Sequence, residues 1–521
     1  MPSWEDGRFM AFDFETSGTL PEYALQPWRV KQGLAWPTSL VWADKRGNEI
    51  NHYGGLSPSR DLMVDMLEHA IEQNMTIVGW NTVFDIQWLL AYDLHDLVFK
   101  VRWLDGMLLW RHWFLEPEYE MARHQKKSYG LKEAVKEVLP KFAGYEEDID
   151  FHDPSPEARA KLHRYNVRDV LFTLRITKHF YQKLAEFPQR LKVALIEAEC
   201  LPMVAEANLA GQMVDVLHGR DLQAKLVSDA ERALEVLAPH GVTEKVVRSP
   251  KQLGELMYDV WKLPVYKENT SKKTGKTTRS TDKEVLHELA FIDPRAKTLR
   301  EYREALNNKT KFADAPLTSA EYNADHRTHP QAIVFGTYSG RLTYASKQGR
   351  LKADTRQTGF ALHQEKRGKE FRNILVAPPG YTLVEFDAAG QEYRWMAIAS
   401  GDETMLSLCL PGGDPHSYMG AQINDLEYEV LKAMVKAEEE EAKGQRQLGK
   451  VANLSLQYRT SARKLRTVAR VQYNLPMELP QAQLIWKTYQ LSYPRVPEYW
   501  TKQISLTKAR GWVETLAGRR V

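Results

Sequence analysis

The segment MAFDFETSG limits what this chain can fold into more than any bulk property does. It sets Asp13 and Glu15 two residues apart on a β-strand, so both carboxylates project from one face of a sheet. GWNTVFDIQWLL adds Asn81 and Asp85 four apart, and HRYNVRDVLFTLRI has helical spacing that puts Tyr165 and Asp169 on one helix face. An Asp-x-Glu pair alone on a strand is more often a solvated edge than a metal site. Four acidic side chains from three elements can hold two divalent cations about 3.5–4 Å apart, the arrangement that stabilises both the attacking and the leaving oxygen of a displacement. Hard oxygen ligands favour Mg²⁺, with Mn²⁺ able to substitute. Tyr165 is suited to orienting the attacking water.

These motifs sit in a chain of 521 residues, long enough for two to four domains. A hydrophobic share of 43% with 27% charged residues describes a globular protein rather than a disordered one. The longest apolar runs, such as IVGW and LAFI, fall far short of the roughly 20 residues of a membrane span. MPSWEDGRFM lacks a basic stretch followed by an apolar one, so no secretory signal is expected. Cys200 and Cys409 are too few for a disulfide framework or a cysteine zinc site, which fits a reducing compartment. A net charge of +3 does not announce nucleic-acid binding, so local patches must carry that argument. Residues 1–185 alternate strand-like and helix-like segments, and 190–330 are mostly helical. Residues 331–425 are mixed, and 426–510 are helical again. YKENTSKKTGKTTRSTDKEV is expected to be a mobile loop, and Glu438–Glu441 a solvated face.

A second group of motifs lies in the C-terminal half. TLVEFDAAGQEYRWMAIASGD reads as a buried strand running into a helix, with Asp387 on the strand and Glu392 and Arg394 just beyond. Further on, Arg446, Lys450, Leu454 and Tyr458 are spaced four apart and lie along one helical stripe. Cations at the first two positions can hold the phosphates of a triphosphate, and Lys450 is suited to protonating a leaving pyrophosphate. An isolated Arg-x-x-x-Lys is usually a solvated face, so the order of the motifs matters more than any one of them.

The acid-bearing elements, with YGLKEAVKEVLP between the second and third, resemble the DEDD-type 3′–5′ proofreading exonuclease domain in its tyrosine-bearing subclass over residues 8–185. Asp105 in WLDGMLLW matches a family position and is expected to be structural or to support the ligands. From about 190 onward the chain is similar to the family A DNA polymerases, phage type. SPKQLGELMYDVWKLPV, SKKTGKTTRSTDKEVL and LREYREALNNKTKF follow the order of that family's thumb. The resemblance implies phosphate contacts from Lys272, Lys273, Lys276 and Arg279, and a minor-groove contact at the primer end from Arg341 in GTYSGRLTYAS. It implies that Asp387 is a palm metal ligand, that Glu392 blocks a ribose 2′-hydroxyl, and that His416 in DPHS lies near the triphosphate beside Arg446 and Lys450. Three departures bear on nucleotide selection: Leu454 stands where Phe or Tyr is usual, Arg459 where Gly follows the tyrosine, and DAAGQEYR where DYSQIELR is commoner.

The resemblance thus implies an α/β plus α+β multidomain chain. A ribonuclease H-like exonuclease domain would span 1–187 and the start of the polymerase and its thumb 188–330. The first part of the palm would span 331–425, and the fingers with the lead into the last palm section 426–521. It implies two Mg²⁺ per active site, primer-template DNA, single-stranded 3′ ends and dNTPs as partners, no membrane, and the cytoplasm of a bacterial host. The family's second palm carboxylate, in a His-Asp-Glu hairpin, has no counterpart before Val521. The polymerase site is therefore expected to be incomplete, with a C-terminal fragment or other replication proteins as further partners, and no 5′-nuclease domain ahead of Asp13. The competing readings are a 3′–5′ DNA exonuclease whose polymerase half only holds DNA, and half of a split polymerase that needs a second chain.

Overall fold

The computed structural model describes residues 8–46, 49–113, 129–145, 150, 153, 155–270, 275, 277–337, 339–345 and 361–520. They form two compact units, one of Met1–Arg220, Phe312–Thr382 and Trp512–Val521, the other of Asp221–Lys311 and Leu383–Gly511.

The first unit is built on a five-stranded sheet of β1 (Phe9–Gly18), β2 (Ala35–Arg46), β3 (Glu49–Leu56), β4 (Thr76–Gly79) and β5 (Arg102–Asp105), in the order β3-β2-β1-β4-β5. β1, β2 and β3 pair antiparallel, whereas β4 lies parallel to both β1 and β5. Each step to the next parallel strand needs a crossover, and helices Arg60–Glu72 and Thr82–Ala91 supply them. The first of these helices is capped by Ser59, whose hydroxyl accepts from the Leu62 amide at 3.2 Å. It buries Met63, Met66, Leu67 and Ala70, the i, i+3, i+4, i+7 stripe of an amphipathic helix. Met10, Phe12, Leu40, Ile77 and Leu104 in the sheet are fully buried. The 30-residue helix Pro156–Ala185 packs on β1 and β2. A small antiparallel sheet places Gln212–Val214 between Arg327–Thr328 and Leu375–Val376.

Among its described residues the second unit holds three apolar clusters, the smallest of them Ala421, Leu431 and Ala442. Of the other two, one gathers Leu237, Leu253, Met257, Leu289 and Leu299, and the other Val451, Leu465, Ile485 and Val496. The stretch expected to be a mobile loop contains a short antiparallel ribbon, Glu268–Thr270 against Thr277–Arg279. Its threonines favour a pleated backbone, a preference that the basic composition masked. Glu438–Glu441 are exposed, as expected of a solvated face.

Candidate metal centre and nucleotide-binding helix

On β1 the alternation works as the sequence implied. Phe12 and Phe14 are buried, while Asp13 and Glu15 point to the other face and are partly buried. The β1–β2 register slips between Glu15 and Thr16, a bulge just past the second carboxylate. Asp85, in the first turn of helix Thr82–Ala91, is almost wholly buried and accepts from the Phe14 amide at 3.3 Å. Asp105 plays the structural part expected of it. Its carboxylate accepts from the amides of Asn81 (3.2 Å), Thr82 (3.0 Å), Met107 (2.8 Å) and Leu108 (3.3 Å), tying down the starts of two helices.

Helix Pro156–Ala185 brings the third element. Ser155 caps it, and Asn166 ties it to β1 by donating to the Asp13 carbonyl at 3.3 Å. Tyr165 and Asp169, one turn apart, are both buried on the sheet side. Oxygens of Asp13, Glu15 and Asp169 all lie within 4.8 Å of one another. Burial pushes the Asp13 carboxyl well above its ordinary range, and the charges of Asp85, Glu15 and Asp169 push it further. Burial, Asp169 and Asp85 do the same to Glu15, with Lys132 pulling the other way. Burial also raises Asp85, against the Phe14 amide that stabilises its charge. Such a cluster cannot ionise fully unless cations enter it. An all-oxygen donor set of this charge fits Mg²⁺ or Mn²⁺.

Two groups at this site escaped sequence reasoning. The Tyr145 hydroxyl donates to Asp169 Oδ1, and its ring stacks on Tyr165 with centroids 6.2 Å apart. Lys132 holds its ammonium 5.4 Å from the Tyr165 ring centre. Lys132 belongs to YGLKEAVKEVLP, but nothing in its spacing singles it out. Tyr145, in FAGYEED, carried no signal at all. The Tyr165 hydroxyl is pushed up by burial and by Asp169, Glu15 and Asp13, and so stays a donor.

In the second unit, helix Glu440–Leu456 carries Arg446, Lys450 and Leu454. Tyr458 is a correction: the helix ends at Leu456, and Tyr458 sits in the turn beyond it. Arg459 then adopts φ 57°, a left-handed conformation that glycine takes freely and arginine does not. Arg446 pairs with Asp414, and His416 lies near Asn453, whose amide nitrogen is 3.3 Å from His416 Nδ1. Burial, then the charges of Arg446 and Lys450, lower His416 to about 4, so its imidazole is neutral at pH 7. Glu392 is exposed at the start of helix Gln391–Ser400 and accepts from Gln457 Nε2 at 3.4 Å.

Asp387 is a second correction. Residues 381–388 form no strand, and Val384 and Phe386 are 66% and 93% exposed. A strand needs a hydrogen-bonded neighbour, and no β-ladder among the described residues includes this segment. Among the described residues, Asp387 joins no group of potential metal ligands. Arg341 is exposed in the first unit, its amide donating to Thr337 Oγ1 at 3.0 Å. Lys272, Lys273 and Lys276 lie outside the described residues. Arg279 spends its guanidinium on Asp259, at 2.7 and 2.6 Å.

A model of DNA polymerase family A matches residues 219–521. DNA polymerase I of Pseudomonas aeruginosa is 27% identical over 365 residues, which cover 68% of this chain and 36% of that protein. The thermostable DNA polymerase I of Thermus thermophilus is 26% identical over 328 residues, 62% of this chain and 35% of its own length. DNA polymerase I of Aquifex aeolicus is 26% identical over 467 residues, 85% of this chain and 71% of that protein. The chain thus spans about a third of the length of the first two. Among solved structures, the POL domain of Pol1 from M. smegmatis, in complex with DNA primer-template and dNTP, superposes with a TM-score of 0.69. It is 17% identical and covers 99% of this chain and 78% of that one, a likeness of fold.

Proposed function

Since the chain belongs to DNA polymerase family A, we propose that it is a DNA-directed DNA polymerase of the phage replicative type whose N-terminal domain, residues 1–187, is a 3′–5′ proofreading exonuclease. The observation that carries the nuclease is the convergence of Asp13, Glu15 and Asp169, from a strand and a helix, with Asp85 close enough to raise the Asp13 pKa. The strand order β3-β2-β1-β4-β5 supports a ribonuclease H-like domain. In this reading the four carboxylates would hold two Mg²⁺ ions, whose chemistry when bound would be to polarise a scissile phosphate and its attacking water. Tyr165, buried beside Asp169 and protonated, orients that water.

On the polymerase side, Arg446, Lys450 and neutral His416 bind the triphosphate of a dNTP. Glu392 and Leu454 border its sugar, and Asp387 takes part in holding the metal. Arg341 and the basic thumb residues contact primer-template DNA. The exposure of Asp387 supports a second reading, in which the C-terminal half holds DNA for the nuclease. Two assays separate them. Mg²⁺-dependent loss of nucleotides from a 3′-ended single strand tests the nuclease, and primer extension with dNTPs tests the polymerase. Degradation without extension selects the second reading; neither activity defeats both.

A further inference from the structure

Helices Pro415–Asn424 and Glu440–Leu456 approach so closely that no side chain fits between them at two points. A Cβ on Gly449 would lie 2.2 Å from the His416 carbonyl oxygen, and one on Gly420 would lie 2.6 Å from that of Gln445. This contact brings the N-cap of the first helix, Asp414, against the Arg446 side chain of the second. Arg446 Nε donates to Asp414 Oδ2 at 2.7 Å, and a terminal nitrogen reaches Oδ1 at 3.3 Å. The same carboxylate accepts from the amides of His416 (3.1 Å) and Ser417 (3.2 Å) and from the Ser417 hydroxyl at 2.6 Å. Burial works against its charge, but the hydrogen bonds from Arg446 and Ser417 hold the carboxyl at about 2.

We propose that Asp414 is a positioning residue for the incoming nucleotide, gripping Arg446 side-on so that its remaining N–H groups are presented to the terminal phosphates. This rests on the reading of Arg446 as a triphosphate ligand. A guanidinium has five N–H donors in a rigid fork, and the side-on pair occupies two of them. The other three point away from Asp414. Arg446 is only partly buried, so without the carboxylate its long side chain would sample many rotamers and lose them on binding. The close approach at Gly420 and Gly449 makes the grip rigid, because neither helix can slide without breaking the other's contact.

Asp414→Asn tests this with little threat to the fold. Asparagine is an equally good N-cap, its oxygen can keep the amides of His416 and Ser417, and its NH₂ would then face Arg446 and release it. Asp414→Ser, which keeps a cap but cannot reach Arg446, is the second variant. Binding of dATP with Mg²⁺ to the full chain is measured by calorimetry, alongside Arg446→Ala and the Arg446→Ala/Asp414→Asn double variant. Both Asp414 variants are expected to weaken binding about tenfold, the worth of one charge-assisted hydrogen bond, when measured well below a melting temperature that losing the carboxylate lowers. In the Arg446→Ala background Asp414→Asn should have no further effect, a null that a merely structural role would not give. If Arg446→Ala weakens binding and Asp414→Asn leaves it unchanged or tightens it, Asp414 is bystander or competitor and the proposal falls. If Arg446→Ala binds as well as the wild type, or the wild type does not bind, the reading of Arg446 as a phosphate ligand falls with it.

Discussion

Replacing Glu15 by Gln should make the metal-free protein more stable while removing its response to Mg²⁺. Ligand oxygens of Asp13, Glu15 and Asp169 lie within 4.8 Å of one another. Two full charges at that separation repel by about 3.5 kcal/mol at an effective dielectric of about 20. Retained protons already relieve part of this, so removing the Glu15 charge should return roughly 1–2 kcal/mol, or about 2–8 °C for a domain of this size. The pH dependence has a definite sign. The folded carboxyls are raised, so between their unfolded values near 4 and the raised ones the native state binds more protons. Stability of the wild type in EDTA should therefore fall as pH rises through that window, and less steeply for Glu15→Gln. Mg²⁺ at a hundred times its Kd should add about 2.7 kcal/mol to the wild type and little to the variant. The assay is thermal melting by tryptophan fluorescence from pH 4 to 8, with EDTA or Mg²⁺. A wild type whose melting temperature is flat with pH in EDTA and indifferent to Mg²⁺ would refute the cluster as a cation site.

Asp13→Ala with Glu15→Ala should abolish degradation of a 3′-ended single strand while binding to that strand, read by fluorescence anisotropy, persists. Tyr165→Phe should slow hydrolysis by less, because a lost hydroxyl leaves the metal ligands in place. Where primer extension is measured, Glu392→Ala should raise ribonucleotide incorporation, and Leu454→Tyr should improve use of ddTTP over dTTP by about tenfold in kcat/KM; an unchanged ratio would remove Leu454 from the sugar site. Arg459→Gly should raise stability by about 0.5–1 kcal/mol, since φ 57° strains arginine and not glycine; a lower melting temperature would show that the arginine side chain makes up for its backbone.

The acidic cluster was legible because each of its parts is a short-range pattern. Asp13 and Glu15 share a face through the two-residue repeat of a strand, and Tyr165 and Asp169 through the four-residue step of a helix. The sequence order of three such pairs then stood in for the tertiary contact that no local rule supplies. Tyr145 was invisible for the converse reason. Its hydroxyl reaches Asp169 from an irregular stretch, where no period fixes the direction of a side chain.

The same distinction explains the two corrections in the C-terminal half. A helix satisfies its own backbone, so the periodicity of residues 440–456 was enough to place Arg446 and Lys450 on it. Its end was misread because the four-residue stripe continues to Tyr458 in sequence after the backbone has left the helix at Leu456. Side-chain spacing does not sense a left-handed residue, and Arg459 hides one where a glycine would have announced it. A strand, by contrast, satisfies nothing alone. The apolar run Leu383, Val384, Phe386 says that these side chains favour cover, and it cannot say which element provides it. With no described strand beside it, the segment forms no strand and Phe386 stands 93% exposed next to Asp387. The helix-borne residues proposed to bind the nucleotide, from Asp414 to Leu454, are organised by contacts the two helices make with each other. Nucleotide binding should therefore survive perturbations of residues 381–388 that abolish any chemistry depending on Asp387.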